Sequence, residues 1–289
     1  MKKHLVWAFA SAMVLAGIGS ASAADMPMKA LAPVAPAPAC LWCGFYIGGD
    51  VGGYWDNQSA VTRAFPAPGF GAPAILGAGI AGFGNLPTAH GLDRSGFAGG
   101  VYAGYNWQMN QFVLGVEGDI SGLDRQTATS TQTVLASFPA VPAAAYTMTV
   151  AANNNWVATL RGRAGWAAGP ALWYVTGGAA WTGASYAAAA SGLLNAGAGI
   201  NTLGQAAAVA WSDNKTGWVV GTGVEWMIGP HWTLRAEYLY HEFTGSSAVM
   251  PLVGLAAGGG NTCVGQCGWV VNTSNQRLSI ARVGVGYKF

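Results

Sequence analysis

Charged side chains in this sequence recur two residues apart: Glu117 with Asp119, Arg161 with Arg163, and Arg235 with Glu237. On a helix such neighbours point ~200° away from each other, whereas on a β-strand they share one face. The intervening residues complete the pattern. Between 111 and 123, one parity holds Phe112, Leu114, Val116 and Ile120, and the other holds Glu117, Asp119 and Ser121. Between 155 and 167, Trp156, Ala158, Leu160, Ala164 and Trp166 oppose Asn155, Thr159, Arg161 and Arg163. Trp218, Val220, Val224, Trp226 and Ile228 oppose Glu225, and Trp232, Leu234, Ala236, Tyr238 and Tyr240 oppose Thr233, Arg235, Glu237 and His241. The end of the chain sets Ala281, Val283, Val285, Tyr287 and Phe289 against Arg282 and Lys288.

Three further segments alternate less cleanly. Residues 44–55 set Phe45, Ile47, Val51 and Trp55 against Tyr46, Asp50 and Tyr54. Residues 95–108 set Phe97, Val101, Tyr105 and Trp107 against Tyr102, Asn106 and Gln108. Residues 171–186 are apolar on both parities, and we take Trp173, Val175 and Trp181 as outward. The pattern thus predicts eight strands. Short links near Met109-Asn110, Gly169-Pro170 and Gly229-Pro230 alternate with long ones over 57–94, 124–152, 187–213 and 244–275. This alternation fits an all-β, eight-stranded antiparallel up-and-down transmembrane barrel with short turns in the periplasm and four long extracellular loops.

Composition names the solvent. Only 8% of the residues are charged while 52% are hydrophobic, against about 25% charged in an average soluble domain. Spanning helices do not fit, because the stretch from 164 to 212, free of Asp, Glu, Lys, Arg and His, is broken by Pro170, Gly177-Gly178, Gly183 and Gly192. Outward aromatics recur eight or ten residues apart, as in Trp218 to Trp226 and Phe45 to Trp55. On tilted strands that spacing corresponds to roughly 20–25 Å along the membrane normal, the height of a lipid-facing band between aromatic girdles. A soluble β-sandwich gives no reason for large aromatics to gather at strand ends.

An arginine facing lipid at mid-depth costs ~2–4 kcal/mol. Arg161, Arg163, Arg235 and Arg282 must therefore point inward, where Asp50, Glu117, Asp119, Glu225 and Glu237 can pair with them. An eight-stranded bore is just wide enough for side chains to fill, so the expected lumen is plugged by charge pairs. A small porin-like channel or solute-binding barrel is the alternative.

Residues 1–23 read as a signal peptide: Lys2 and Lys3, then a 14-residue apolar stretch from Leu5 to Ile18, then Ala21-Ser22-Ala23. Residues 24–43, rich in Ala and Pro, read as a flexible periplasmic segment, and 44–289 as the barrel. Removing Lys2 and Lys3 leaves 11 basic and 11 acidic residues. That balance argues against a nucleic-acid partner, since such proteins carry a basic patch. Cys40 and Cys43 precede the first strand, and Cys263 and Cys267 fall in the last outer loop, a bilayer away. Within one chain only 40–43 and 263–267 can pair, and a four-cysteine zinc site is excluded. His241-Glu242 near Ser246 and Ser247 lacks the spacing of a catalytic triad. Asp50, Glu117 and Asp119 suit structural pairing better than acid–base work, and no phosphate-binding glycine loop is present, so neither an enzyme nor a cofactor is expected.

The motifs Gly44-Phe45-Tyr46-Ile47-Gly48-Gly49, Tyr174-Val175-Thr176-Gly177-Gly178, Gly223-Val224-Glu225-Trp226, Ala236-Glu237-Tyr238-Leu239-Tyr240 and Val283-Gly284-Val285-Gly286-Tyr287-Lys288-Phe289 resemble a known group. These are the small outer-membrane β-barrels (porin family, outer membrane immunogenic protein) of alpha-proteobacteria, which are OmpA-like. The resemblance implies a structural and surface-interaction protein in the outer membrane, set among outer-membrane lipids and lipopolysaccharide. It also implies that Tyr287 and Phe289 form the signal read by the assembly machinery. The four loops present variable surface to which a host or surface ligand could bind, and its identity is not readable from the sequence. The departures are the four cysteines and the long loops rich in Ala and Gly.

Overall fold

The computed structural model describes residues 40–65, 88–124, 126–138, 141–196, 200–251 and 268–289. These form thirteen strands: β1 (Gly44–Asn57), β2 (Ser59–Phe65), β3 (Thr88–Gly91), β4 (Arg94–Met109), β5 (Phe112–Leu123), β6 (Ala128–Phe138), β7 (Val141–Ala168), β8 (Ala171–Ala196), β9 (Ile200–Met227), β10 (Trp232–Phe243), β11 (Ser247–Pro251), β12 (Gly268–Thr273) and β13 (Gln276–Lys288). Eight of them, β1, β4, β5, β7, β8, β9, β10 and β13, pair antiparallel in that order. β13 returns to β1, and the β5–β7 pairing completes the ring. A closed ring leaves no strand edge unpaired in lipid, where an unsatisfied backbone group is costly.

Three tight turns join strands at one end. Asn110 (φ 56°) and Gly169 (φ 60°) supply the left-handed conformations that two of these turns need, which Asn tolerates and Gly adopts at no steric cost. The third turn carries Gly229 and Pro230.

The exterior is apolar. Phe45, Val51, Phe97, Phe112, Leu160, Val175 and Val283 are all more than half exposed. Phe112, Trp166 and Trp173 are successive cross-strand partners, so the aromatic girdle at the short-turn end is a true lateral row. The facing chosen for 171–186 holds: Trp173 and Val175 point out, while Tyr174 is buried inside.

The opposite end differs from the expected loops. β7, β8 and β9 run on far past the girdle, and β6 pairs with the extension of β7. β11, β12, β2 and β3 form a second sheet of their own. The residues involved are mostly Ala, Thr, Ser and Val, small or β-branched side chains that suit a pleated surface. An apolar core continues inside this extension, made of Leu92, Met148, Val150, Tyr186, Met250, Val271 and several alanines.

Candidate functional site

The inward parity places the predicted charges in one network. Three opposite-charge pairs sit directly across from each other in the ladders: Glu117 with Arg161, Glu225 with Arg235, and Glu237 with Arg282. Glu117 is the hub. Its Oε1 accepts from Arg161 Nη2 at 2.5 Å and Arg235 Nη1 at 3.1 Å. Its Oε2 accepts from Tyr46 Oη at 2.8 Å, from Arg163 Nη1 at 3.4 Å and from Arg235 Nη2. β5 and β10 stand on opposite walls of the ring, so the Arg235–Glu117 pair spans the full bore.

Glu237 is a second hub, accepting from Arg161 at 2.9 Å, from Arg282 Nε at 2.8 Å and from the Tyr174 hydroxyl at 3.0 Å. Glu225 joins Arg163 (3.0 Å) to Arg235 (2.9 Å). Asp119 accepts from Thr159 and pairs with Arg161 (3.0 Å) and Arg282 (3.2 Å). Asp50 pairs with Arg282 at 3.1 Å. All nine predicted charges are brought together and buried. Charge-assisted bonds of this kind are about twice as strong as neutral ones.

The sequence did not mark the aromatic partners. The Arg163 guanidinium lies 4.0 Å from the Tyr174 ring centroid, and that of Arg235 lies 3.8 Å from Tyr102. Such stacking satisfies the flat faces of guanidinium groups whose edges are hydrogen-bonded. Tyr46 and Tyr102 alternate correctly for the interior, and that was the available signal.

Apolar layers bracket the network. Toward the extension lie Tyr54, Val219, Leu239, Phe243, Leu278 and Ile280, all buried. At the short-turn end, Trp42 packs against Val113, Ala167, Leu172 and Tyr174. Its backbone N–H donates to Gln108 Oε1 at 2.8 Å and its indole N–H to the Gly169 carbonyl at 3.2 Å. The Cys40–Cys43 disulfide, Cα to Cα 5.5 Å, closes the short loop that carries it, and Lys288 donates to the Leu41 carbonyl. Residues 40–43, assigned by composition to the flexible lead-in, are thus held at the base of the barrel. The rest of that segment, the signal peptide, Cys263 and Cys267 lie outside the described residues.

Asp50, Glu117 and Asp119 are taken up in arginine pairs, and His241 does not meet Ser246. His241 is buried with Nδ1 3.2 Å from the Leu278 carbonyl, while Ser246 bonds Thr273. Tyr287 and Phe289 meet edge to face at 5.2 Å, with Phe289 projecting outward.

A closed eight-stranded cylinder with an apolar exterior and a charged interior defines an integral β-barrel membrane protein, and its place is the outer membrane. More narrowly, the chain belongs to the outer membrane protein beta-barrel domain family, whose model matches residues 11–289. The 31 kDa outer-membrane immunogenic protein of Brucella melitensis is 36% identical over 152 residues, which is 52% of this chain and 55% of that protein. The alignment therefore spans about half the length of that relative. The 22 kDa outer membrane protein of Rhizobium leguminosarum bv. viciae is 28% identical over 73% of this chain and 68% of its own. Among solved structures, OprG of Pseudomonas aeruginosa (14% identity, 86% of this chain and 96% of that one, TM-score 0.39) and Ail of Yersinia pestis (12%, 85% and 99%, TM-score 0.31) are similar.

Proposed function

We propose that this protein is a structural and surface-presenting barrel whose bore is closed to ions and which performs no catalysis. The observation that carries the reading is the Arg235–Glu117 pair, whose two side chains reach each other from opposite walls. The apolar layers that bracket it, Trp42 below and Leu239, Leu278 and Ile280 above, support the same reading. The arrangement suits a rigid anchor set among outer-membrane lipids and lipopolysaccharide, with the strand extension presenting surface to a host or neighbouring ligand. Tyr287 and Phe289, at the end of β13, serve as the signal for the assembly machinery.

Planar-bilayer recording on the refolded chain tests the closed bore. The expected trace lacks steady single-channel steps. Sizeable, reproducible steps that persist in preparations free of other porins would overturn it and favour a small channel.

A further inference from the structure

A second polar layer lies beyond the outer girdle, and the charge network does not account for it. On β9 the membrane span runs from Trp218 to Trp226, and Lys215 stands three residues above it. Lys215 is 2% exposed and points inward. Its Nζ lies 4.9 Å from the Tyr186 ring centroid and makes no hydrogen bond, and among the described residues no carboxylate comes within ion-pair distance of it. Asn154 on β7 is fully buried, and neither of its side-chain polar atoms has a partner. The ladders set the two at neighbouring levels of the interior: Asn154 opposes Ala184 and Lys215 opposes Thr182, two residues apart on the intervening β8. From the other walls come Gln58, which donates to Tyr186 at 3.0 Å, and Arg94, which pairs with Asp56. Asp56 is also held by Gln276 at 2.8 Å, and Arg94 Nε is unused.

An ammonium group carries three donors and cannot be left dry. A ring face meets only one side of it and is a weaker partner than an anion. Burial lowers the Lys215 pKa to about 8, with Asp213 and Asp56 pulling it partly back. The layer holds two cations, Lys215 and Arg94, and two carboxylates, Asp56 and the half-buried Asp124, but Asp56 is engaged by Arg94 and Asp124 by Tyr54. Asp213, two residues up β9, is exposed. Asp56 Oδ1 is also without a partner, yet Lys215 Nζ makes no hydrogen bond to it, so the ammonium donors remain unspent.

We propose that this layer is a binding site for a small inorganic anion, seated against Lys215 Nζ and Asn154 Nδ2. Its chemistry is that of a compact, negatively charged acceptor such as a halide or phosphate. The site is independent of whether the lower network blocks current.

Crystals of the refolded full chain grown in sodium bromide provide the test. The expected result is an anomalous bromide peak in contact with Lys215 Nζ, absent from Lys215→Met and weakened in Asn154→Ala. In solution, bromide and phosphate should raise the Tm of the natural chain more than equal ionic strength of a bulky organic anion, and this difference should vanish in either variant. It should also fade as the pH passes above about 8, where Lys215 gives up its proton. Only water between Lys215 and Asn154, or bromide bound solely elsewhere, would overturn the proposal, as would an anion effect that the variants retain. Should Lys215→Met fail to fold, the peak in the natural chain and the Asn154→Ala comparison decide.

Discussion

Tyr174 and Gly223 face each other across β8 and β9, and a Cβ built on Gly223 would stand 2.5 Å from the tyrosine hydroxyl. The hydroxyl end of the ring lies over the glycine, with its hydroxyl on Glu237 and its face against Arg163. Gly223→Ala should therefore displace Tyr174 and disturb both contacts. The added carbon would also crowd the Ala236 carbonyl at 2.8 Å, which cannot move without the ladder. Overpacking of this kind costs ~1–3 kcal/mol. Urea unfolding in detergent, followed by heat-modifiable gel mobility, should show that loss. An unchanged midpoint would mean the ring moves aside freely.

The hub position of Glu117 makes a graded prediction. It is bound by three arginines and Tyr46, whereas Asp50 pairs with Arg282 alone. Glu117→Gln leaves several guanidinium groups short of charge in a buried site, a change that costs ~3–5 kcal/mol. Asp50→Asn should cost clearly less, since Arg282 keeps Asp119 and Glu237. Unfolding free energies from the same urea titration rank the two. Equal losses would show that the network has no centre.

How far the sequence carries this site follows from periodicity. Outward and inward faces were readable because a strand has a period of two and the charges obey it. The inward apolar layer was not. Leu239, Leu278 and Ile280 share the parity of Glu237 and Arg282, and a hydrophobic residue on the wet parity gives no signal of its depth. The extension beyond the girdle was read as loop because Ala, Gly and Thr fill both parities there, so alternation is too weak to announce a strand. Trp42 was illegible for another reason. Its partners Gln108 and Gly169 are 66 and 127 residues away, and only the closed ring brings them under it.

Trp42 yields the third prediction. Removing a large buried ring typically costs ~3–5 kcal/mol, so Trp42→Ala should lower the Tm markedly. Replacing both Cys40 and Cys43 by Ser should act through the same side chain, by loosening the loop that positions it. The two changes share one set of contacts, so combining them should cost less than the sum of the separate losses. Differential scanning of the three variants measures this. Strict additivity would mean the disulfide and the indole stabilise the barrel independently.

The extension carries its own pH dependence at His90. On β3, His90 is fully buried, with Nε2 3.5 Å from the Thr62 hydroxyl. Burial lowers its pKa from the ordinary 6.5, and the nearby Ser130 backbone offsets this only in part. The folded chain thus holds this proton less tightly than the unfolded one. Neutral His90 leaves stability intact above about pH 6.5, and stability falls as the pH drops below that value, because only the unfolded segment takes up the proton. Hydrogen exchange of the β2 and β3 amides, corrected for intrinsic rates, should show protection declining between pH 7 and 5. His90→Gln, which cannot titrate, should flatten that decline while leaving the exchange of β10 and β13 unaltered. An identical decline in the variant would assign the acid sensitivity to another group.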